Sequence, residues 1–269
     1  MPNNVETVDQ NRYQVQSVAR AATLLNEIAN KGAGGMSVTQ IAERLGVAKS
    51  TALALARTLA TAGLLRSVDP GPRYVLGLNL LRLGDLVGQQ TSIGELGLPT
   101  LRLLSSVTGL TARMAMNEGG YPVFIERIDG EGSIRFHASL GQREEPHATA
   151  AGKAILAHLD VLNVRTLLAE AGMARYTSKT LTDVDSLLLE LERVRSEGFA
   201  LDDEEEAEGV MCVGSAFFDH KGVCVGALSV TGLKVDVPLR EVRALGITVR
   251  EHADRISTML GGTRPKCAS

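Results

Sequence analysis

Residues 36–65, MSVTQIAERLGVAKSTALALARTLATAGLL, contain two short helical patterns that are separated by a glycine. In the first pattern Ser37 is a suitable N-cap, and apolar residues recur at helical spacing as far as Leu45. Gly46 ends that helix, and a second helix begins near Ala48. Two short helices joined by a tight turn that contains glycine are typical of the helix-turn-helix, in which the second helix enters the major groove of DNA.

The segments on either side of this pattern complete a small domain. Upstream, residues 17–30, SVARAATLLNEIAN, form an amphipathic helical pattern. Its apolar face is predicted to consist of Val18, Ala21, Leu25 and Ile28. Downstream, residues 63–77, GLLRSVDPGPRYVLG, contain two short apolar runs around a Pro-Gly-Pro turn. This arrangement predicts a β-hairpin, which would be the wing of a winged helix-turn-helix.

Charge is distributed unevenly along the chain. The 269 residues carry a formal net charge of −3, but residues 12–76 carry +5 and the remainder −8. This asymmetry indicates a small module for a polyanion joined to a larger acidic module. The residues predicted to contact DNA are Ser37, Lys49, Ser50, Thr51, Leu53, Arg57, Arg66 and Arg73. The alternative is a three-helix core without a DNA partner, because apolar periodicity alone is common.

Residues 77–109, GLNLLRLGDLVGQQTSIGELGLPTLRLLSSVTG, follow the wing. Leu78, Leu81 and Val87 share one side of a first helical pattern, and residues 96–104 form a second, with Gly94, Gly97 and Pro99 punctuating the segment. A linker helix at this point would connect the two modules and help to pair two copies, as an operator with two half-sites requires. The segment could equally be a pair of core helices.

Beyond Thr111 the pattern changes from helical to mixed. Short apolar runs, TARMAM, YPVFIERI and SIRFHA, predict strands, and NEGG between the first two predicts a hairpin turn. GVMCVGSAFF and GVCVGALSVTG predict two central strands, while HATAAGKAILAHLD, DVDSLLLELERVRSEG and the segment after Pro238 predict helices. Strands and helices segregated in this way predict an α+β domain with one antiparallel sheet.

Three of these stretches are similar to signature segments of the isocitrate lyase regulator (IclR) family of bacterial transcription factors. They are residues 37–65, HATAAGKAILAHL, and GFALDDEEEAEGVMCVGSAFFDHKGVCVGALSVTG. The resemblance covers residues 17–260. It implies a winged helix-turn-helix domain at 14–76, a linker helix at 77–92, and an effector domain akin to GAF and PAS sensors at 93–262. The expected protein is a cytoplasmic homodimer or homotetramer that binds operator DNA under the control of a small organic acid.

The resemblance also implies an effector site. Its residues would be Phe136, Ala150, Ala151, Asp202, Cys212, Ser229 and Thr231. The amides of Ala150 and Ala151 would bind a carboxylate, and Asp202 would accept a hydrogen bond from the ligand. The chain departs from the family at Leu53 and Ala54, where a polar or basic pair is usual, and at Thr231, where a serine is frequent. Small residues at a helix start could also serve only to permit tight packing.

The acidic run from Asp202 to Glu206 lacks the ligand spacing of a calcium loop, so we expect most of these acids to be solvated. Lys153 could in principle be a nucleophile, but a lysine near the start of an amphipathic helix is usually solvated. Cys212 could be a redox-sensing thiol or a nucleophile, although a cysteine in an apolar strand is more often a core residue. Redox sensing and small-molecule catalysis therefore remain the alternatives.

Several classes are disfavoured by composition. Cys212, Cys224 and Cys267 are an odd number without CxxC spacing, which argues against a disulfide scaffold or structural zinc. The chain contains no run of eighteen apolar residues, so we expect no membrane span. The first residues are polar and lack the apolar core of a signal peptide. We expect no cofactor, no metal and no membrane partner.

Overall fold

The computed structural model describes residues 15–69, 71–90, 92–132 and 140–265. The chain forms two compact units that divide between residues 91 and 92. No helix among the described residues is long and apolar enough to cross a membrane.

The N-terminal unit is a winged helix-turn-helix, as the sequence predicts. Its elements are α1 Gln16–Lys31, β1 Met36–Ser37, α2 Val38–Leu45, α3 Lys49–Thr61, β2 Leu65–Val68, β3 Arg73–Leu76 and α4 Asn79–Gln90. The three strands form an antiparallel sheet in the order β1-β3-β2. Strands β2 and β3 are the wing, and the short strand β1 anchors it to the start of α2.

Local chemistry determines where α2 begins and ends. The Ser37 hydroxyl accepts a hydrogen bond from the Gln40 backbone N–H, and the Gln40 side chain accepts one from the Ser37 backbone N–H. This capping box satisfies two donors that would otherwise be unpaired at the helix N-terminus. At the other end Gly46 has φ 62° in the left-handed region, which ends the helix and turns the chain toward α3.

The core of this unit differs from the prediction at one position. Leu24 and Ile28 of α1 are buried with Ile41, Ala52 and other residues of α2 and α3. Val18 was predicted on the same face, but its side chain is 65% exposed. The actual apolar face consists of Ala21, Leu24, Leu25 and Ile28. Val18 lies too early in the helix to reach α2 and α3, so the packed face starts one turn later.

The C-terminal unit is α+β. Its elements are α5 Ile93–Thr108, β4 Thr111–Glu118, β5 Tyr121–Ile128, α6 Ala150–Leu156, α7 Val161–Ala171, α8 Val184–Glu197, β6 Ala200–Asp203, β7 Val210–Phe218, β8 Cys224–Leu233 and α9 Val242–Met259. The five strands are all antiparallel, in the order β5-β4-β8-β7-β6. The predicted strand SIRFHA lies within residues 133–138, outside the described residues.

Helices cover both faces of this sheet. On one face α6 and α8 pack over Ala115, Ala216 and Ala227, and on the other α5 and α9 pack over Val213 and Leu228. Successive side chains of a strand point to opposite faces, so each central strand contributes to both cores. Small residues dominate the α6 side, which lets that helix approach the sheet closely.

The second helical pattern after the wing, predicted over residues 96–104, forms helix α5. Gly94, Gly97 and Pro99 all lie inside this helix. Gly97 is buried against Met114, and a side chain there would collide with that methionine. Pro99 is the seventh residue of α5, beyond the first turn, so its missing N–H removes one hydrogen bond of the helix. The glycines therefore permit close packing of α5 on the sheet.

Candidate functional site

Helix α3 presents a polar surface beside the wing. Lys49, Ser50 and Arg57 are exposed, whereas Ala52 and Ala56 on the opposite side are buried. Thr51 and Leu53 are half-buried, and Ala54 is exposed. Because Lys49, Leu53 and Arg57 are spaced by one helical turn, the structure brings them to one face. This is the face that a recognition helix presents to a groove.

The two predicted wing arginines have different environments. Arg66 on β2 is exposed, and its position is compatible with a phosphate contact. Arg73 on β3 donates hydrogen bonds of 2.6 Å to the Gly34 carbonyl and 2.9 Å to the Gly35 carbonyl. Its guanidinium therefore holds the α1–α2 connection against the wing. Ser37, in turn, uses its hydroxyl to cap α2.

A row of polar side chains crosses the C-terminal sheet on the face that α6 covers. Asp202 on β6 pairs with Cys212 on β7, which pairs with Thr231 on β8. The Cys212 Sγ and Thr231 Oγ1 atoms are 3.3 Å apart. Ser229 lies two residues from Thr231 on the same face, and its buried hydroxyl has no hydrogen-bond partner. Four of the predicted effector residues are thus brought together by strand register.

The sequence analysis missed Arg113, which completes this row. Its side chain is 6% exposed, and one Nη donates a 2.7 Å hydrogen bond to Thr231 Oγ1. The guanidinium also lies 4.4 Å above the centre of the Phe124 ring and 3.7 Å from Cys212 Sγ. An arginine at the centre of TARMAM was the available signal, because a charged residue within an apolar strand is rarely buried without a role.

A cavity of about 430 Å³ opens beside these groups. Its lining residues are Arg113, Glu144, Glu145, Tyr176, Glu206, Ala207, Val210, Cys212 and Thr231. The sheet supplies the floor, and loops that precede α6, precede α8 and join β6 to β7 supply the walls. This volume suits a small organic molecule.

Of the four predicted effector residues in this row, Cys212 and Thr231 belong to the cavity lining, whereas Asp202 and Ser229 do not. Ala150 and Ala151 are buried at the start of α6 and do not belong to the cavity lining. A side chain at Gly214 would lie 2.7 Å from the Ala150 carbonyl group, so the small residues there permit tight packing of helix on sheet. Phe136 lies outside the described residues.

The acidic run is not the solvated turn that the sequence suggested. Asp202 is fully buried, and its Oδ1 accepts hydrogen bonds from the backbone N–H groups of Glu205, at 2.7 Å, and Glu206. Burial raises the pKa of Asp202 to about 6. Asp203 and Glu204 instead form ion pairs with lysines of other elements. Each acid in the run therefore has its own environment.

Two lysines hold the outer part of the run. Lys179 and Lys234 both donate to Glu204, at 2.5 and 2.6 Å. These contacts lower the pKa of Glu204 to about 2. Glu204 also has φ 65°, a left-handed conformation that is unusual for a residue other than glycine. The contacts of the two lysines hold the loop in the conformation that places Glu206 in the cavity lining.

The environment of Lys153 differs from the expectation that this side chain is solvated. Its side chain is completely buried in α6, and its ammonium forms an ion pair with Glu205. Because an amine held as the cation by a carboxylate is a poor nucleophile, this geometry disfavours a Schiff-base lysine. No local pattern indicates this partner, which lies 52 residues away.

The cysteines do not have the environment of reactive thiols. Burial raises the pKa of Cys212 far above its usual range and that of Cys224 to about 12. Both side chains are buried, and low thiolate content makes oxidation slow. Cys267 lies outside the described residues. No cluster of histidine, cysteine and acidic side chains that could hold a metal occurs in the described part of the chain.

Both halves of the chain match established domain families. Residues 17–69 match the IclR helix-turn-helix domain, and residues 87–258 match the domain described as bacterial transcriptional regulator IclR C-terminal. The chain belongs to the IclR family. Members of the IclR family are DNA-binding transcriptional regulators, so the N-terminal unit is a DNA-binding domain and the protein is a regulator of transcription rather than an enzyme.

Individual IclR relatives match over almost the whole chain. The HTH-type transcriptional regulator BhcR of Paracoccus denitrificans is 32% identical over 90% of this chain and 86% of BhcR. The transcriptional repressor AllR of Escherichia coli is 29% identical over 97% of this chain and 95% of AllR. The crystal structure of the Agobacterium tumefaciens repressor BlcR superposes with a TM-score of 0.79 at 23% identity, covering 93% and 98% of the two chains. The last comparison supports the fold alone.

Proposed function

We propose that this chain is a repressor whose affinity for operator DNA is controlled by a small organic acid bound in the cavity of the C-terminal unit. The observation that carries the effector half is Arg113. A guanidinium that is almost wholly buried at the edge of a cavity, with an Nε atom that has no hydrogen-bond partner among the described residues, provides a binding site for a carboxylate. Thr231 and Cys212 hold that guanidinium in place.

The DNA half rests on the exposed face of α3 and on the wing. We propose that Lys49, Ser50 and Arg57 contact the major groove and that Arg66 contacts a phosphate. Leu53 offers an apolar contact for a thymine methyl group. Repression is supported by the relative AllR, which is named as a repressor.

A homodimer or homotetramer is part of the proposal. Operators with two half-sites require paired heads. Leu78 and Leu81, at the start of α4, are 77% and 74% exposed in the single chain. A second copy that covered them would remove this apolar surface from water. The proposed domain boundaries, 14–76, 77–92 and 93–262, assign α4 to this pairing role.

Fluorescence anisotropy tests both halves in one experiment. Labelled DNA from upstream of the gene is titrated with the purified chain at fixed physiological salt, with scrambled DNA as the reference. Small carboxylates are then added to the complex. We expect preference for the upstream DNA and a shift in affinity with at least one acid; a useful switch requires about 1–3 kcal/mol of coupling.

Variants connect the response to the cavity. Arg113→Gln should bind the operator normally and lose the response to the acid, whereas Arg175→Gln, an exposed arginine outside the cavity, should keep it. Failure of every acid to alter operator affinity would contradict effector control. Equal binding to upstream and scrambled DNA would contradict recognition of that site.

A further inference from the structure

The charges around the cavity are unbalanced. Among the described residues, its lining contains one guanidinium, that of Arg113, and three carboxylates, those of Glu144, Glu145 and Glu206. All three glutamates are half-buried. A cavity built only for an anion would have the opposite excess, because like charges in a partly desolvated site repel one another.

Arg113 forms no ion pair with these acids, although its charge lowers the pKa of Glu144 and Glu206 against the larger, opposite effect of burial. Its hydrogen bonds go to Thr231 and Cys212, its Nε has none, and in the described part of the chain no carboxylate lies within 4 Å of its guanidinium. The cation and the acids therefore form separate poles of one cavity. A buried donor without a partner favours a ligand that supplies one.

The acidic pole of the cavity consists of the half-buried side chains of Glu144, Glu145 and Glu206. Burial, together with the charges of Glu144 and Glu145, raises the pKa of Glu206, and burial raises the pKa of Glu144. Each of these carboxylates is therefore harder to ionise than one in water. A cation placed among them would stabilise the ionised forms. A metal ion does not suit this pole, since the described residues contain no group of three acidic or other ligating side chains that could hold one.

We propose that the effector is a small zwitterion, an amino or guanidino acid, whose carboxylate binds Arg113 and whose cationic nitrogen lies against Glu144 and Glu206. This inference rests on the effector control proposed above and narrows the class of ligand. A plain monocarboxylate would satisfy Arg113 but would add a fourth negative charge to the cavity. A simple amine would satisfy the acids and leave Arg113 without a partner.

Isothermal titration calorimetry of the full chain at pH 7.5 tests the inference with compounds matched by carbon skeleton. The sets are acetate, glycine, guanidinoacetate and ethylamine; propionate, alanine, β-alanine and propylamine; and butyrate, 4-aminobutyrate and butylamine. The common α-amino acids extend the series to larger side chains. We expect at least one zwitterion to bind at least tenfold more tightly than its matched acid and its matched amine, and to shift operator affinity.

Variants assign the two poles. Arg113→Gln should weaken binding of that zwitterion at least tenfold. Glu206→Gln should remove most of the advantage of the zwitterion over the plain acid, and the plain acid should bind no more weakly than before. Glu208→Gln is the matched control, because Glu208 is exposed in the same loop and outside the cavity. Unchanged operator binding without ligand would show that each variant is folded.

The outcomes separate this inference from the proposed function. If a plain acid binds as tightly as its zwitterion and shifts operator affinity, effector control by an acid stands and the zwitterion is excluded. If an amine binds as tightly as its zwitterion, the role of Arg113 is excluded and the inference is overturned. If none of the compounds binds or shifts operator affinity, both proposals are overturned.

Discussion

Lys153 of helix α6 and Glu205 of the β6–β7 loop form an ion pair in which the lysine is fully buried and the glutamate side chain is 12% exposed. The same loop is held from inside by Asp202, whose carboxylate accepts the Glu205 backbone N–H. The loop also delivers Glu206 to the cavity. The position of the acidic pole is therefore determined by a lysine on a different element.

The first prediction concerns this pair. Glu205→Gln leaves the Lys153 ammonium buried without its counter-charge, and we expect a loss of about 3–5 kcal/mol in the free energy of unfolding. Urea denaturation at pH 7.5 measures it. The double variant Lys153→Met, Glu205→Leu should recover part of the loss because no buried charge remains.

Lys179→Ala provides the comparison for that pair. Lys179 is 43% exposed and pairs with Asp203 and Glu204 at the loop surface. Exposed pairs contribute little because water screens them, so this variant should leave the unfolding free energy nearly unchanged. Equal losses in Lys179→Ala and Glu205→Gln would contradict the view that burial determines the cost.

The second prediction concerns the buried carboxyl group of Asp202. Burial raises its pKa to about 6 in the folded state, whereas an unperturbed aspartate titrates at about 3.9. Between these values the folded state binds more protons than the unfolded state, so the free energy of unfolding falls as pH rises. The contribution amounts to about 2 kcal/mol between pH 4.5 and pH 7.5. The Asp202→Asn variant has no carboxyl group at this position, so its free energy of unfolding should lack this dependence on pH.

Urea unfolding of both proteins at intervals from pH 4.5 to 7.5 tests the sign and the size of this effect. As pH rises, the free energy of unfolding of the native chain should fall relative to that of Asp202→Asn. Glu204→Gln is the control: the folded-state pKa of Glu204, about 2, lies below this window, so its curve should differ from the native one only near pH 4.5, where the unfolded glutamate titrates, and in the opposite sense. Parallel curves for Asp202→Asn and the native chain would show that the carboxyl group titrates normally.

Much of the fold could be predicted because its signals are local. Gly46 and Ser37 mark the ends of α2, and the spacing of Ala52 and Ala56 assigns the buried side of α3. Period-two alternation likewise placed Asp202 on one face of β6 and Leu201 on the other. Each of these signals depends on residues within a few positions of one another.

The site was less predictable because its contacts are distant in sequence. Lys153 and Glu205 are 52 residues apart, and Arg113 and Thr231 are 118 apart. Neither pair carries a motif, so Lys153 was assigned to solvent and Arg113 was overlooked. The contact of Gly97 in α5 with Met114, which lies on a different element, likewise carries no local signal.

The third prediction concerns the recognition helix. Arg57→Ala removes an exposed cation from the face of α3 that also carries Lys49 and Ser50. If the guanidinium neutralises one phosphate, the slope of log affinity against log salt should decrease by about 0.9. Anisotropy titrations with the upstream DNA at several salt concentrations give this slope directly.

Arg165→Ala is the charge-matched control for Arg57→Ala. Arg165 is 48% exposed on α7, in the C-terminal unit, where it pairs with Asp185. Arg165→Ala changes the net charge by the same amount as Arg57→Ala, but at a position outside the DNA-binding domain. Identical slopes for Arg57→Ala and the native chain would remove Arg57 from the proposed contacts.

The fourth prediction separates the two wing arginines. Arg73→Ala loses hydrogen bonds to the Gly34 and Gly35 carbonyl groups, which leaves these acceptors without a charged donor. We expect a loss of about 1–3 kcal/mol in the stability of the N-terminal unit, measured by thermal or urea unfolding. Arg66→Ala removes an exposed side chain and should leave stability unchanged while it lowers the affinity and the salt slope of operator binding. The reverse pattern, with Arg66→Ala destabilising and Arg73→Ala changing only the salt slope, would mean that Arg73 is the phosphate contact of the wing.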